Sequence, residues 1–193
     1  MSKEKAGLGF KVHTGWTALV AIAGAPGHIR ILVRRRLELL PDDDTMPRFV
    51  YHKAAELPVS EAADLVERVT RACEATARTA IEQILKELSS LGVSTRGAGI
   101  PTGSTVLPGT LAAILGSHAL IHAAEGQLFQ HAILSACENQ GLRVTCTRER
   151  DLWSKLAGGV RQKLDDMRKS VGSPWAADQK TATAAALVAL QNG

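Results

Sequence analysis

The chain has 193 residues, 45% apolar and 22% charged, which fits one packed domain over residues 1–193 and excludes wholesale disorder. Aromatics make up only 4% against abundant Ala, Leu and Val, a balance that favours helices packed on a sheet, and the net charge of +4 permits a nucleic-acid partner without demanding one. Cys73, Cys137 and Cys146 have no CxxC or zinc-ribbon spacing, no apolar signal segment follows the N-terminus, and no run reaches the roughly 18 apolar residues of a membrane span, so the expectation is a reduced cytoplasmic protein with no membrane partner.

Residues 7–24 read as one long strand whose second half is apolar on both faces, as in a central strand buried between layers. Ala25-Pro26-Gly27-His28 is a turn, and residues 29–40 return as a second strand in which Ile29, Ile31, Val33, Leu37 and Leu39 alternate with Arg30, Arg34, Arg36 and Glu38. Pro41-Asp42-Asp43-Asp44 is a solvated loop, and residues 48–53 read as a third antiparallel strand. A helix follows over residues 60–91 with Ser60 as its N-cap, its apolar period running from Leu65 to Leu91 until Gly92 stops it. At 1.5 Å per residue it is about 45 Å long, more than one small sheet can cover. It is therefore either bent near residues 75–79 or extended towards a partner, and an isologous homodimer through this helix is the expectation.

A fourth strand spans residues 93–100 and ends in a flexible Pro101-Thr102-Gly103-Ser104-Thr105. The glycines of residues 97–104 match neither GxxxxGK[ST] nor a GxGxxG leading into a helix, so a mobile loop is expected rather than a phosphate cradle. A helix then covers roughly residues 109–140 with a break near Gly116, followed by a fifth strand at 142–147 and short helices at 149–157 and 160–170. Ser173-Pro174 opens a last, alanine-rich helix from 174 to about 191, and Trp153 and Trp175 are expected to anchor these C-terminal helices to the core.

Three side chains stand out within 109–140. His118, His122 and Glu125 recur at i, i+4 and i+7, within roughly 60° of one helical face that otherwise carries Leu111, Ile114, Leu115, Phe129 and Ile133. Polar groups in an apolar stripe must satisfy one another or bind something. One reading is a metal site, zinc by preference, with His118, His122 and Glu125 as ligands. The other is a buried hydrogen-bond cluster in which Glu125 fixes a histidine tautomer. Lys11, Arg30, Arg34 and Arg36 form a candidate basic surface for a phosphate backbone, although arginines on an outer strand also serve solubility.

The order of elements resembles the ribonuclease H-like superfamily, nearest its RuvC-type junction-resolvase branch. That resemblance implies an α/β fold: a mixed five-stranded sheet with helices on both faces. It also implies an acidic two-metal nuclease centre. The family's first-strand acid falls on Lys11 of Gly9-Phe10-Lys11-Val12-His13-Thr14-Gly15-Trp16. The second resembles Glu125 of Glu125-Gly126-Gln127-Leu128-Phe129, and the last pair resembles Asp178 and Thr181. A lysine at the bridging position repels divalent cations, and it is expected to pair with Glu125 or Asp178. The implied protein is a non-catalytic or degenerate ribonuclease H-like protein associated with nucleic acid. The alternative is a hydrolase or nuclease that depends on a divalent metal (magnesium, manganese or zinc), with Glu125, Asp178 and His122 as its catalytic groups.

Overall fold

The computed structural model describes residues 4–25, 27–42 and 45–192; residues 1–3, Pro26 of the predicted turn, and Asp43 and Asp44 of the predicted loop lie outside them. Residues 7–24 form a hairpin rather than one strand. Gly15 takes φ +81°, a conformation open to glycine, and Thr14-Gly15 turns the chain between β1 (Glu4–His13) and β2 (Trp16–Ala25). β2 is apolar on both faces and β1 is apolar on one and glycine-rich on the other, so hydrophobicity alone gives little sign of the reversal.

β3 (His28–Glu38) pairs antiparallel with β2, while β4 (Val93–Thr102) and β5 (Arg143–Arg148) run parallel to β1. The strand order is β3-β2-β1-β4-β5, which puts β1 at the centre of the mixed sheet. The first half of the expected long strand thus holds the central, parallel position, and the second half is its antiparallel neighbour. β4 continues through Pro101 and Thr102, two residues into the predicted flexible loop.

Residues 48–53 are not a strand. They enter a short helix, α1 (Val50–Ala54), which leads to the long α2 (Val59–Ser90). Helix α2 begins one residue before the predicted Ser60 cap, with Pro58 in the cap position and no side-chain cap bond. The helix expected over 109–140 divides around Gly116 into α3 (Leu111–Leu115) and α4 (His118–Asn139). After β5 come two 3-10 turns, α5 (Val160–Asp166), α6 (Arg168–Val171) and α7 (Ala177–Gln191). Helix α7 starts later than predicted because Arg34 holds the carbonyls of Val171, Gly172, Ser173 and Pro174, drawing the preceding segment into a turn.

Two apolar layers enclose the sheet. Leu8, Phe10, Leu19 and Ile100 face α2 and α4, where they meet Val69, Cys73, Ile81, Ile84, Phe129 and Ile133. Val20 and Ile22 face the opposite layer, which contains Ala182, Ala185, Leu187, Leu152, Leu164 and Trp175. Trp175 is buried there and donates to the Leu164 carbonyl at 2.6 Å, the anchoring role expected of it. The apolar stripe of α2, from Ala62 through Val69 and Ala77 to Leu88, is buried within the chain along its whole length. The motive for self-association through that stripe therefore lapses. No helix among the described residues is long and apolar enough to cross a membrane.

The closest packing lies between α7 and the β1–β4 pair. A Cβ on Gly9 would come 1.8 Å from the Ala182 carbonyl oxygen, and one on Gly99 2.0 Å from that of Ala185. The glycines of 97–104 that resembled a loop signal are in part this contact surface. Gly99→Ala should therefore lower stability by about 2–3 kcal/mol or more, because backbone rather than a pliable side chain stands in the way. Gly126→Ala, with no atom within 4 Å of the added Cβ, should gain about 0.5–1 kcal/mol by helix propensity. Urea denaturation of the two variants checks both signs, and equal midpoints would contradict the backbone contact.

Candidate functional site

Alternation along β1 places Gly7, Gly9, Lys11 and His13 on the face covered by α7. Helix α7 runs back along that face, so its first turn meets the carboxyl end of β1. There Asp178 Oδ1 lies 3.1 Å from His13 Nε2. The two atoms are close, yet the nitrogen makes no aligned hydrogen bond, so this is proximity rather than a fixed proton bridge. His13 stacks on Trp16 across the hairpin end, with centroids 4.3 Å apart and planes at 12°, and the Arg36 guanidinium covers the indole at 3.8 Å.

Lys11 pairs neither with Glu125 nor with Asp178. Its ammonium lies 2.6 and 2.7 Å from the two carboxylate oxygens of Glu149, the first residue after β5. The adjoining end of β4 is Ile100-Pro101-Thr102, which contributes no carboxylate. His13, Trp16 and Glu149 were not singled out in the sequence. Only His13 carried a signal, since it shares the strand face of Lys11 two residues on.

Glu125 belongs to the other side of the sheet. It is buried on α4, and its carboxylate caps the amino end of α1: Oε2 accepts from Val50 N at 3.1 Å, and Oε1 from Tyr51 N at 2.9 Å and His52 N at 3.2 Å. Helix α1 has no side-chain cap of its own and no acid in its first turn, so a carboxylate from a distant helix satisfies its orphan amides. The His52 ring completes the shell, with Nδ1 3.1 Å from Oε1. Burial, and secondarily this carboxylate, pushes the Tyr51 phenol above its ordinary value.

No protein-family model matches the sequence, and no curated protein does. Solved structures do match in fold. RuvC of Thermus thermophilus in complex with a Holliday junction substrate superposes with a TM-score of 0.52 at 13% identity, covering 96% of this chain and 92% of that one. A second Thermus thermophilus RuvC structure gives 0.50 at 13% identity, over 95% and 92%. The fold is RuvC-type.

The expected basic surface is largely engaged within the chain. Arg30 pairs with Glu4 at 3.1 Å, Arg36 with Glu38 at 2.5 Å, and Arg34 is committed to the carbonyls of residues 171–174. His118 and His122 do come together on α4, with their Nε2 atoms 3.0 Å apart. Their third neighbour is His52 rather than Glu125, and no local pattern around residue 52 announced it.

A carboxylate that accepts three amides has a structural duty, whatever else it does. Glu125→Gln would turn an NH2 group towards backbone donors, which should cost about 1–3 kcal/mol, and Glu125→Ala should cost more. Chemical denaturation in metal-free buffer measures the loss, and hydrogen exchange should show faster opening at Val50, Tyr51 and His52. An unchanged midpoint for Glu125→Ala would refute the capping role.

Proposed function

We propose that this chain is a nucleic-acid-binding protein of RuvC-type fold that lacks the centre for two-metal phosphodiester cleavage. The observation that carries the reading is the Lys11–Glu149 pair at the carboxyl ends of β1 and β5. A pair of divalent ions about 3.5–4 Å apart requires several converging carboxylates. Here the Lys11 ammonium engages both oxygens of Glu149, Asp178 faces His13, and Glu125 lies beyond the sheet. These residues do not fit such a metal pair, and no catalytic step is assigned to it.

Binding is supported by two further features. A neighbour in fold was solved with a Holliday junction substrate. In this chain, residues 148–169 carry seven Lys or Arg against four Asp or Glu, a local excess of positive charge following β5. Arg148, Lys155, Arg168 and Lys169 are exposed and have no carboxylate partner among the described residues, unlike Arg30, Arg35 and Arg36 of β3. Such side chains are placed to meet phosphates by release of counterions.

Fluorescence anisotropy with a four-way DNA junction and a plain duplex should give salt-dependent binding. Arg148→Glu and Lys155→Glu should weaken it for all sequences and each lower the salt slope by about 1. Neither magnesium nor manganese should produce cleavage of junction, duplex or RNA–DNA hybrid, while Lys11→Asp should strengthen manganese binding in isothermal titration. Cleavage by the unmodified chain that disappears in Asp178→Asn would overturn the non-catalytic reading. Absence of binding to any of these nucleic acids at low salt would overturn the other half.

A further inference from the structure

We propose that His52, His118 and His122 form a site for one zinc-class divalent ion, separate from the strand-end cluster and independent of the function proposed above. One ligand nitrogen of each ring lies within 4.8 Å of the other two. The His118 and His122 Nε2 atoms are 3.0 Å apart, and two imidazoles on one tetrahedral zinc, at about 2.0–2.1 Å each, stand roughly 3.3 Å apart. The spacing of this pair therefore needs little adjustment to accept an ion, and the His52 ring, within 4.8 Å, would close on it as the third ligand.

The rings converge although they need not. His118 and His122 are exposed and His52 is half-buried, so water is available to solvate each ring separately. They meet edge to face instead, with centroids 4.4 to 5.6 Å apart and interplanar angles of 69° to 83°. His118 and His122 are one helical turn apart on α4, the arrangement by which a helix presents two imidazoles to a common point. His52 arrives from α1, and Phe49 packs edge-on against it, with centroids 5.8 Å apart.

Behind His52 stands the carboxylate that metal-bound histidines commonly have. Glu125 Oε1 lies 3.1 Å from His52 Nδ1, so a proton carried on Nδ1 would be shared with this carboxylate and the Nε2 lone pair would be left for a cation. The same carboxylate supplies negative charge behind His52, which favours a cation on the ring's other side. Neutral imidazole donors favour zinc and its transition-metal neighbours over magnesium. Three protein ligands leave a fourth position for water, and the ion would fasten the short α1 to α4.

The test uses the full chain stripped with EDTA. Titration with zinc should show one ion per chain at micromolar free metal. Cobalt(II) should give the visible absorption bands of a low-coordinate site. Zinc at a hundredfold excess over Kd should raise the melting temperature by about 5–10 °C. His52→Gln, His118→Gln and His122→Gln should each abolish the stoichiometric binding and the thermal shift, with metal-free melting curves confirming that each variant folds. His131→Gln, on α4 but outside the cluster, should retain both, and magnesium should produce neither. Zinc that fails to bind the unmodified chain, or binds His52→Gln as well as the parent, would overturn the proposal.

Discussion

The structure depends on direct backbone contact between α7 and the middle of the sheet. Gly7, Gly9 and Gly99 present no Cβ to a helix whose Ala182, Ala185 and Ala186 lie against them, so helix and strands approach more closely than ordinary side chains allow. This contact fixes the height at which α7 begins relative to β1, and with it the meeting of Asp178 and His13. It also explains a composition that otherwise looks like loop chemistry. Gly97-Ala98-Gly99 alternates because its two faces have different neighbours: Ala98 joins the α2–α4 layer, and the glycines make room for α7 and β5.

Much of this was legible because it is written in local period. The α2 stripe, the alternation of β3, the break at Gly116 and the alanine run of α7 each follow from residues within one element. The hairpin at Gly15 was hidden because β1 and β2 are both largely buried, and its turn is only Thr14-Gly15 between two runs that each read as extended. Residues 48–53 misled for another reason. A five-residue helix is unstable alone, and what holds α1 is a carboxylate 75 positions away together with burial of Val50 and Ala54. Propensity cannot report a cap that arrives from another helix.

The site was only partly legible, and strand parity shows why. Lys11 shares a face with Gly7 and Gly9, against α7, whereas α4 covers the face of Leu8 and Phe10. Glu125 on α4 and Lys11 on β1 thus stand on opposite sides of the sheet, which a motif of the form Glu-Gly-Gln-Leu-Phe does not reveal. Asp178 shares the side of Lys11, yet the ammonium has gone to Glu149. The expectation of an altered acidic centre rested on Lys11. Its partner came from Glu149, the residue that follows β5 two strands away.

Glu125 shows how a residue of conspicuous type acquires a meaning that its spacing does not give. A buried carboxylate is tolerable only when its charge is answered, and here three amides, a helix dipole and an imidazole answer it. Those four donors occupy the lone pairs that a directly bound ion would need. The helical pattern that put Glu125 with His118 and His122 identified the correct neighbourhood, because all three project from α4 towards α1. Within that neighbourhood the carboxylate is turned inward to the α1 backbone, and the imidazoles are turned outward to water. His52 lies between the two shells, its Nδ1 towards the carboxylate and its ring edge-to-face with both outer imidazoles. The carboxylate that makes α1 possible therefore also holds the His52 ring beside the outer histidines, so the order of the buried shell is imposed on the exposed one.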